Sequence, residues 1–99
     1  MKNVFIIGNL GANAIRRATS DGRELMTFSV AVNDKSSTTW FNVVSRFREN
    51  QFPYLEKGSQ VAVTGDLSVS TFNGQPDLTV NADRIELCGG SKANSPENP

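Results

Sequence analysis

The 99-residue chain contains no histidine and a single cysteine, Cys88. Because common protein metal sites use histidine and cysteine ligands, a site of that kind is nearly excluded. One cysteine also excludes a disulfide within the chain, and the lack of histidine excludes catalytic triads built on it. We therefore expect no cofactor and no metal, and the composition favours a binding protein over an enzyme.

Long hydrophobic runs are also missing, since the longest one near the start is the four-residue segment Val4-Phe5-Ile6-Ile7. Such a run is far too short for the core of a signal peptide or for a membrane span. A chain of this length buries roughly 65% of the surface that its unfolded form exposes. We therefore expect one small cytoplasmic domain that does not associate with a membrane.

The net charge is zero, because ten Lys and Arg balance ten Asp and Glu. The charges are unevenly placed: residues 1–57 carry eight basic and five acidic side chains, whereas residues 58–99 carry two and five. This uneven distribution of charge says more about binding partners than the net charge does. Each charge alone is typical of solvated surface, so the positions of the basic groups have to decide whether they form a site.

Apolar residues recur mostly at every second position, which is typical of β-strands. The predicted strands begin near Val4, Met26, Trp40, Val61 and Leu78. Hairpin-type turns are predicted at Asp21-Gly22 and Asn73-Gly74. In the last strand the alternation changes phase between Ala82 and Ile85, which predicts a β-bulge near Asp83.

One short helix is predicted between the third and fourth strands. Asn50 is a suitable cap, Pro53 fits only in a first helical turn, and Gly58 is suited to end a helix, which leaves about two turns. Three strands, a helix and two strands predict an all-β fold, a five-stranded OB-fold barrel with one short helix between strands 3 and 4. We expect this domain to cover residues 1–88 and residues 89–99 to form a disordered tail.

An OB barrel commonly binds oligonucleotides on strands two and three and on neighbouring loops. Such binding uses aromatic faces for the bases and basic groups for the backbone. Trp40 opens the third strand, and Phe72 lies beside the Asn73-Gly74 turn. The candidate contacts are Trp40, Phe72, Phe47, Arg17, Arg16, Arg46, Arg48, Lys57 and Lys2.

Each candidate also has a plainer interpretation. A lone tryptophan such as Trp40 fits a core position as well as a binding position, and Phe47, which precedes the helix, fits packing better than ligand contact. Arg16 and Arg17 alone would form a solvated turn. Only the convergence of aromatic and basic residues on one predicted face favours binding.

Several blocks of sequence also follow one another in a familiar order. Residues 2–11 are similar to the first strand of bacterial single-stranded DNA-binding proteins, residues 40–44 to the third strand of that family, and residues 54–61 to its helix end and fourth strand. The resemblance covers about residues 2–87. It implies an OB fold, homo-oligomers that are usually tetramers formed as dimers of dimers, and sequence-independent binding of single-stranded DNA in replication, recombination and repair, with a location at the nucleoid.

The resemblance also implies roles for individual residues. Trp40 matches a base-stacking tryptophan and Phe72 an aromatic at the outer end of the fourth strand. Arg17 matches an arginine that contacts the DNA backbone, and Lys57 matches a lysine at the helix end. Six residues after the tryptophan, the family usually has an aromatic residue followed by glycine, whereas this chain has Arg46-Phe47. Phe47 can therefore take the stacking role only if the alignment shifts by one residue.

Other family features have no counterpart. The segment from Trp40 to Tyr54 is about two residues shorter than usual, and no second tryptophan follows strand two. The outer hairpin segment 68–71 carries no charge. The chain also lacks the acidic, phenylalanine-tipped peptide that recruits partner proteins in the family. We therefore expect a chain that does not recruit partners through an acidic tail. Whether the natural protein is a short form or the tail has been trimmed stays open.

Three classes of function follow. Single-stranded DNA binding is favoured, and an OB-fold protein–protein accessory module of a replication or primosome assembly is the alternative. An enzyme would need a carboxylate pair, and Asp66, Asp77 and Asp83 show no convergent spacing. RNA stays open as the ligand, because stacking does not sense the 2′-hydroxyl.

The first strand makes a separate prediction about assembly. Only one face of a barrel strand points inward, yet Val4-Phe5-Ile6-Ile7 is apolar on both faces. An exposed apolar patch and a strand edge favour pairing with a second copy. We therefore predict a homodimer through this strand, and the family resemblance implies a tetramer as the final state.

Overall fold

The computed structural model describes residues 2–88. The strands are β1 (Asn3–Leu10), β2 (Ile15–Ala18), β3 (Glu24–Asn33), β4 (Thr38–Arg46), β5 (Gln60–Phe72) and β6 (Gln75–Cys88). One turn of 3-10 helix, Phe52–Tyr54, connects β4 to β5. The tail predicted at residues 89–99 lies outside the described residues.

The six strands form one curled sheet in the order β1-β5-β6-β4-β3-β2. A short pairing of β1 with β3, at Asn9 with Ala31 and Leu10 with Val30, partly closes this sheet into a barrel. β6 runs parallel to β4, whereas the other neighbouring pairs are antiparallel. The all-β prediction is therefore confirmed, and the five predicted strands correspond to β1, β3, β4, β5 and β6.

The sixth strand, β2, was not predicted. It pairs with the start of β3, from Ile15 with Thr27 to Ala18 with Glu24. All four of its residues are exposed. Because no side chain of β2 is buried, its sequence has no apolar alternation by which it could be recognised.

The predicted two-turn helix is wrong, because the structure has a single 3-10 turn of three residues. Pro53 lies within this turn and has no backbone N–H to donate, and Leu55 leaves the helical conformation directly afterwards, at φ −88° and ψ 73°. Leu55 is nevertheless almost fully buried, so the turn still fills the end of the barrel. The part of the chain that the structure describes has no helix long and apolar enough to cross a membrane.

The predicted bulge near Asp83 is confirmed. Thr64 pairs with Arg84 and Gly65 with Ala82, so Asp83 is the unpaired extra residue of β6. At this kink the two backbones approach closely, and a Cβ atom on Gly65 would collide with the carbonyl oxygen of Asn81. A glycine is therefore required opposite the bulge.

The core lies inside the barrel and consists of the alternate residues that point inward. Full burial of one such apolar side chain stabilises the fold by about 1.5–3 kcal/mol. The completely buried side chains are Met26, Val30, Val43, Val61, Val63 and Val80. The residues between them in β3 and β4 point outward, and this outer face carries the candidate site.

Candidate nucleic-acid interface

The outer faces of β3 and β4 form the floor of an open groove. Strand pairing places Arg17, Leu25 and Arg46 abreast across β2, β3 and β4, with Thr27 and Val44 in the next row. The groove has a volume of about 350 Å³. It is lined by Ala12, Asn13, Ile15, Arg17, Thr27, Phe28, Ser29, Asn42, Val43, Val44 and Thr79.

Trp40 lies on this outer face and is not a core residue, since 54% of its surface is exposed. It pairs with Ala31 of β3. The indole also lies over Gly11, where an added Cβ would be only 2.6 Å from the ring atom Cζ3. Gly11 therefore leaves room for the indole to lie against the chain that follows β1, with part of its surface open to solvent.

Phe72 belongs to the same face of the sheet. Paired residues of neighbouring strands share a face, and Asn42 pairs with Thr79, Thr79 with Ser68, and Phe72 follows at an even spacing along β5. Phe72 is 71% exposed. It ends β5 just before the turn at Asn73-Gly74, whose φ angles of 52° and 77° are both positive, as a tight hairpin of this type requires.

Phe47 and Arg16 contact each other rather than the groove. Arg16 pairs with buried Met26 and therefore points to the inner side of the sheet. The Phe47 ring centroid lies 5.1 Å from that of Phe52. Arg16 also forms an ion pair with Glu24, with Nη2 and Oε2 2.6 Å apart. The structure thus separates Arg16 and Phe47 from the face that carries Trp40.

Arg17 lines the groove, and Arg46 lies on the same outer face, paired with Leu25. The Nε atom of Arg17 donates a hydrogen bond to Thr27 Oγ1 at 3.2 Å, which leaves its terminal amino groups available. Arg46 is exposed on β4. Trp40 lies six residues away on the same strand, or about 20 Å at strand geometry. The face therefore has an aromatic platform at one end and two guanidinium groups at the other.

Arg48 is used in the fold. Its Nη2 donates to the carbonyl oxygen of Asp83 at 2.9 Å, and its Nε donates to Ser45 Oγ at 3.3 Å. The guanidinium therefore fastens the segment after β4 to the bulge of β6. This position is inconsistent with a free cation on the groove.

The two candidate lysines lie at the margins. The backbone N–H of Lys57 donates to Asn13 Oδ1 at 2.8 Å, so Lys57 is at the rim of the groove, which Asn13 lines. Lys2 lies at the start of β1, where its backbone N–H donates to Asp66 Oδ1 of β5 at 3.0 Å. In the sheet order β5 is two strands from β4, so Lys2 is remote from Trp40.

A hydrogen bond and an ion pair order the β2–β3 turn that follows Arg17 in the chain. The hydroxyl of Thr19 donates to the carboxylate of Asp21, and Arg23 Nε lies 3.2 Å from Asp21 Oδ2. Chiefly because of the Thr19 hydrogen bond, the pKa of Asp21 is lowered from its ordinary value. The turn is therefore organised around an ionised carboxylate.

One pair on the outer face was missed by the sequence analysis. Asn42 Nδ2 donates to Asp77 Oδ1 at 2.9 Å across the parallel pairing of β4 with β6. The two residues are 35 positions apart, so no local spacing links them. The sequence did indicate that Asn42 shares a face with Trp40, because the two lie two residues apart in the third predicted strand.

A second surface lies on the outer side of β1. Phe5 is 61% and Ile7 is 47% exposed, whereas Ile6 between them is buried. β1 pairs with β5 along its length but with β3 only at Asn9 and Leu10. Within residues 2–88, the remaining edge of β1 therefore has no strand beside it.

Comparison with solved structures identifies the fold. The chain is similar to the small single-stranded DNA-binding protein from Streptomyces coelicolor, with a TM-score of 0.72 and 20% sequence identity over 86% of this chain and 90% of that chain. This likeness confirms the OB-type prediction. The structure departs from that prediction in the additional strand β2 and the reduced helix.

Comparison of sequences identifies the family. The chain is 31% identical over 98 residues to the single-stranded DNA-binding protein of Chlamydia muridarum, which covers 88% of this chain and 62% of that protein. It is 32% identical over 103 residues to that of Treponema pallidum, which covers 90% and 58%. The chain thus spans about 60% of the length of these relatives. Since the model of the single-strand binding protein family also matches residues 1–88, the chain belongs to that family.

Proposed function

We propose that this protein binds single-stranded DNA with little sequence preference, in replication, recombination and repair, and that it catalyses no reaction. The observation that carries the proposal is the exposed indole of Trp40 on a face that ends in Arg17 and Arg46. Stacking of one base on an aromatic ring contributes about 1–3 kcal/mol to binding, whatever the base. The guanidinium groups suit the phosphates of the same strand.

Family membership supports the same function. The relatives from Chlamydia muridarum and Treponema pallidum are named single-stranded DNA-binding proteins. The matched region, residues 1–88, includes every element of the groove. The alternative of a protein–protein accessory module is not favoured by this match.

We further propose which sequence-derived candidates contact DNA. Trp40 and Phe72 stack on bases, and Arg17 and Arg46 contact phosphates, with Lys57 at the rim of the path. Arg16, Phe47 and Arg48 are omitted because their side chains are engaged within the fold. Lys2 is omitted because it lies on the far side of β5 and β6 from Trp40.

Fluorescence of Trp40 tests the proposal directly, because it is the only tryptophan of the chain. Titration with poly(dT) is expected to quench the emission stoichiometrically, since a stacked base contacts the indole. The matched double-stranded DNA, in which the bases are not available for stacking, is the control. Unchanged emission and no change in anisotropy of a labelled oligomer would contradict the proposal. Competition between DNA and RNA oligomers of one sequence then establishes which sugar is preferred.

The active form is proposed to be a homo-oligomer, a dimer through β1 that pairs again to a tetramer. The exposed Phe5 and Ile7 and the unpaired edge of β1 support this assembly. Two copies of β1 joined at their edges would satisfy the open edge, and the packing of two such dimers on each other would cover the apolar outer faces. One DNA strand would then reach several copies of Trp40, and linked weak sites bind more tightly than one. A monomer of 10.8 kDa that retains DNA binding would contradict it.

A further inference from the structure

A third arginine lies at the guanidinium end of the outer face. Arg23 immediately precedes β3, and its carbonyl oxygen accepts a hydrogen bond from the N–H of Thr19 at 2.8 Å. This contact continues the register of β2 and β3, in which Arg17 pairs with Leu25. Because residues two positions apart along a strand share a face, Arg23 lies on the same side of the sheet as Leu25 and Arg17.

The three arginines surround Leu25. Arg17 and Arg46 flank it on β2 and β4, and Arg23 lies two residues before it in the chain. A phosphate bound over Leu25 would therefore have an arginine on three sides. The open depression at this position has a volume of about 450 Å³ and is lined by Arg23, Glu24, Leu25, Arg46 and Phe47.

Within residues 2–88, only one of the three guanidinium groups has a carboxylate partner. Arg23 Nε lies 3.2 Å from Asp21 Oδ2. The other ion pair in this part of the chain joins Glu24 to Arg16, so the carboxylate that borders the depression is already paired. The depression therefore carries an excess of positive charge, which suits an anion.

The ion pair of Arg23 is easily exchanged. The side chains of Arg23 and Asp21 are 75% and 60% exposed, and exposed ion pairs contribute little to stability. A guanidinium group also has five N–H donors, of which the contact with Asp21 uses the one on Nε. Arg23 can therefore bind a phosphate at small cost to the fold.

Building on the proposed DNA binding, we propose that Arg23 completes a three-arginine phosphate site with Arg17 and Arg46, and that Asp21 competes with DNA for Arg23. The ligand of this site is the backbone of the strand whose bases stack on Trp40. Since every nucleotide carries the same phosphate, the site adds affinity without sequence preference. Asp21 limits that affinity, because its carboxylate occupies Arg23 in the free protein.

The salt dependence of poly(dT) binding tests the contact. Each phosphate contact on a single strand contributes about −0.7 to the slope of log K against log salt. Arg23→Gln is expected to make the slope shallower by about this amount for each bound subunit, as is Arg17→Gln. Arg23→Lys keeps the positive charge and should keep the wild-type slope. Arg16→Gln is the matched control, because it removes the same charge from the other side of the same hairpin, and it should leave the slope unchanged.

A double-mutant cycle tests the competition. Asp21→Asn is expected to raise the affinity for poly(dT) by up to about fivefold, the strength of an exposed ion pair, because Arg23 is released. In the Arg23→Gln background the same change should leave the affinity unaltered. The oxygen of the introduced amide can still accept from the Thr19 hydroxyl, so we expect the turn to keep its fold. Thermal melts of all variants check this.

The outcomes separate this inference from the function on which it rests. A wild-type slope in Arg23→Gln would overturn the inference, while quenching of Trp40 by poly(dT) would leave DNA binding standing. An equal gain from Asp21→Asn in both backgrounds would overturn the competition, since Asp21 would then act only by repulsion of the strand. Failure of the folded wild-type protein to bind single-stranded DNA would overturn both proposals.

Discussion

The guanidinium carbon of Arg16 lies 4.3 Å from the ring centroid of Phe47. At this distance a cation over an aromatic face is attracted to it, with a contribution of about 0.5–1 kcal/mol at an exposed site. Arg17, the next residue, points to the other side of the sheet and bonds to Thr27. Adjacent arginines in β2 therefore have different roles.

Arg17→Ala is expected to weaken the salt dependence of DNA binding, whereas Arg16→Ala is not. Each phosphate contact on a single strand contributes a slope of about −0.7 in log K against log salt. Loss of Arg17 should make the slope shallower by about that amount. Arg16→Ala should instead lower the free energy of unfolding by about 0.5–1 kcal/mol, because the cation–aromatic contact with Phe47 is lost. The exposed ion pair of Arg16 with Glu24 should contribute little to this change. The same change in slope for both variants would contradict this assignment.

Trp40→Ala is expected to weaken binding of single-stranded DNA by about 1–3 kcal/mol, the contribution of one stacked base. Because Trp40 is more than half exposed, the melting temperature should change little. Phe28→Ala is the contrasting variant: Phe28 is buried, and its truncation should cost about 3–5 kcal/mol of stability. Anisotropy titrations and thermal melts measure both effects. A strongly destabilised Trp40→Ala with unchanged affinity per folded molecule would argue against stacking.

Phe5→Glu is expected to dissociate the oligomer, because it places a charge on the apolar outer face of β1. Light scattering should then give a mass below that of the wild-type oligomer, and DNA affinity should fall with the loss of linked sites. Ser36→Glu adds the same charge in the exposed segment between β3 and β4 and should leave the mass unchanged. An oligomer that persists in Phe5→Glu would place the interface elsewhere.

Thr19→Ala is expected to raise the pKa of Asp21 towards its ordinary value. The Thr19 hydroxyl stabilises the charged carboxylate and lowers its pKa in the folded state. The resulting stabilisation is present above the unfolded-state pKa and is lost as the pH falls through the lowered folded-state pKa. NMR titration of the carboxyl carbon measures the shift. Thr38→Ala, which removes a hydroxyl bonded to Asn33, should leave the titration of Asp21 unchanged.

The sequence predicted those features that depend on alternation and on turn chemistry. β3 and β4 have clear alternating sets, so period two alone places Trp40, Asn42 and Val44 on one face, whereas the outward direction of that face came from the structure. The phase change after Ala82 gave the bulge. These signals are local, and each is determined by the burial of one face.

The features that were missed depend on pairings and contacts that the apolar pattern of the sequence does not record. β2 is an exposed strand that exists only through its pairing with β3, so the opposite directions of Arg16 and Arg17 were not visible. Phe47 was a candidate for DNA contact with core packing as the plainer interpretation, and its ring lies against Arg16 and Phe52. The Asn42–Asp77 pair required the parallel register of β4 and β6.

The parallel pairing of β4 with β6 also has a consequence for folding kinetics. β2, β3 and β4 follow one another in the chain and pair as neighbours, so they can form early at low loop-closure cost. The inner surfaces of Met26, Phe28 and Val43 then remain in water until β6 pairs with β4 and β5 pairs with β1. Such non-local pairings are slow steps. We expect the rate of barrel closure to limit folding, and the open meander of β2–β4 to be the species most prone to aggregate.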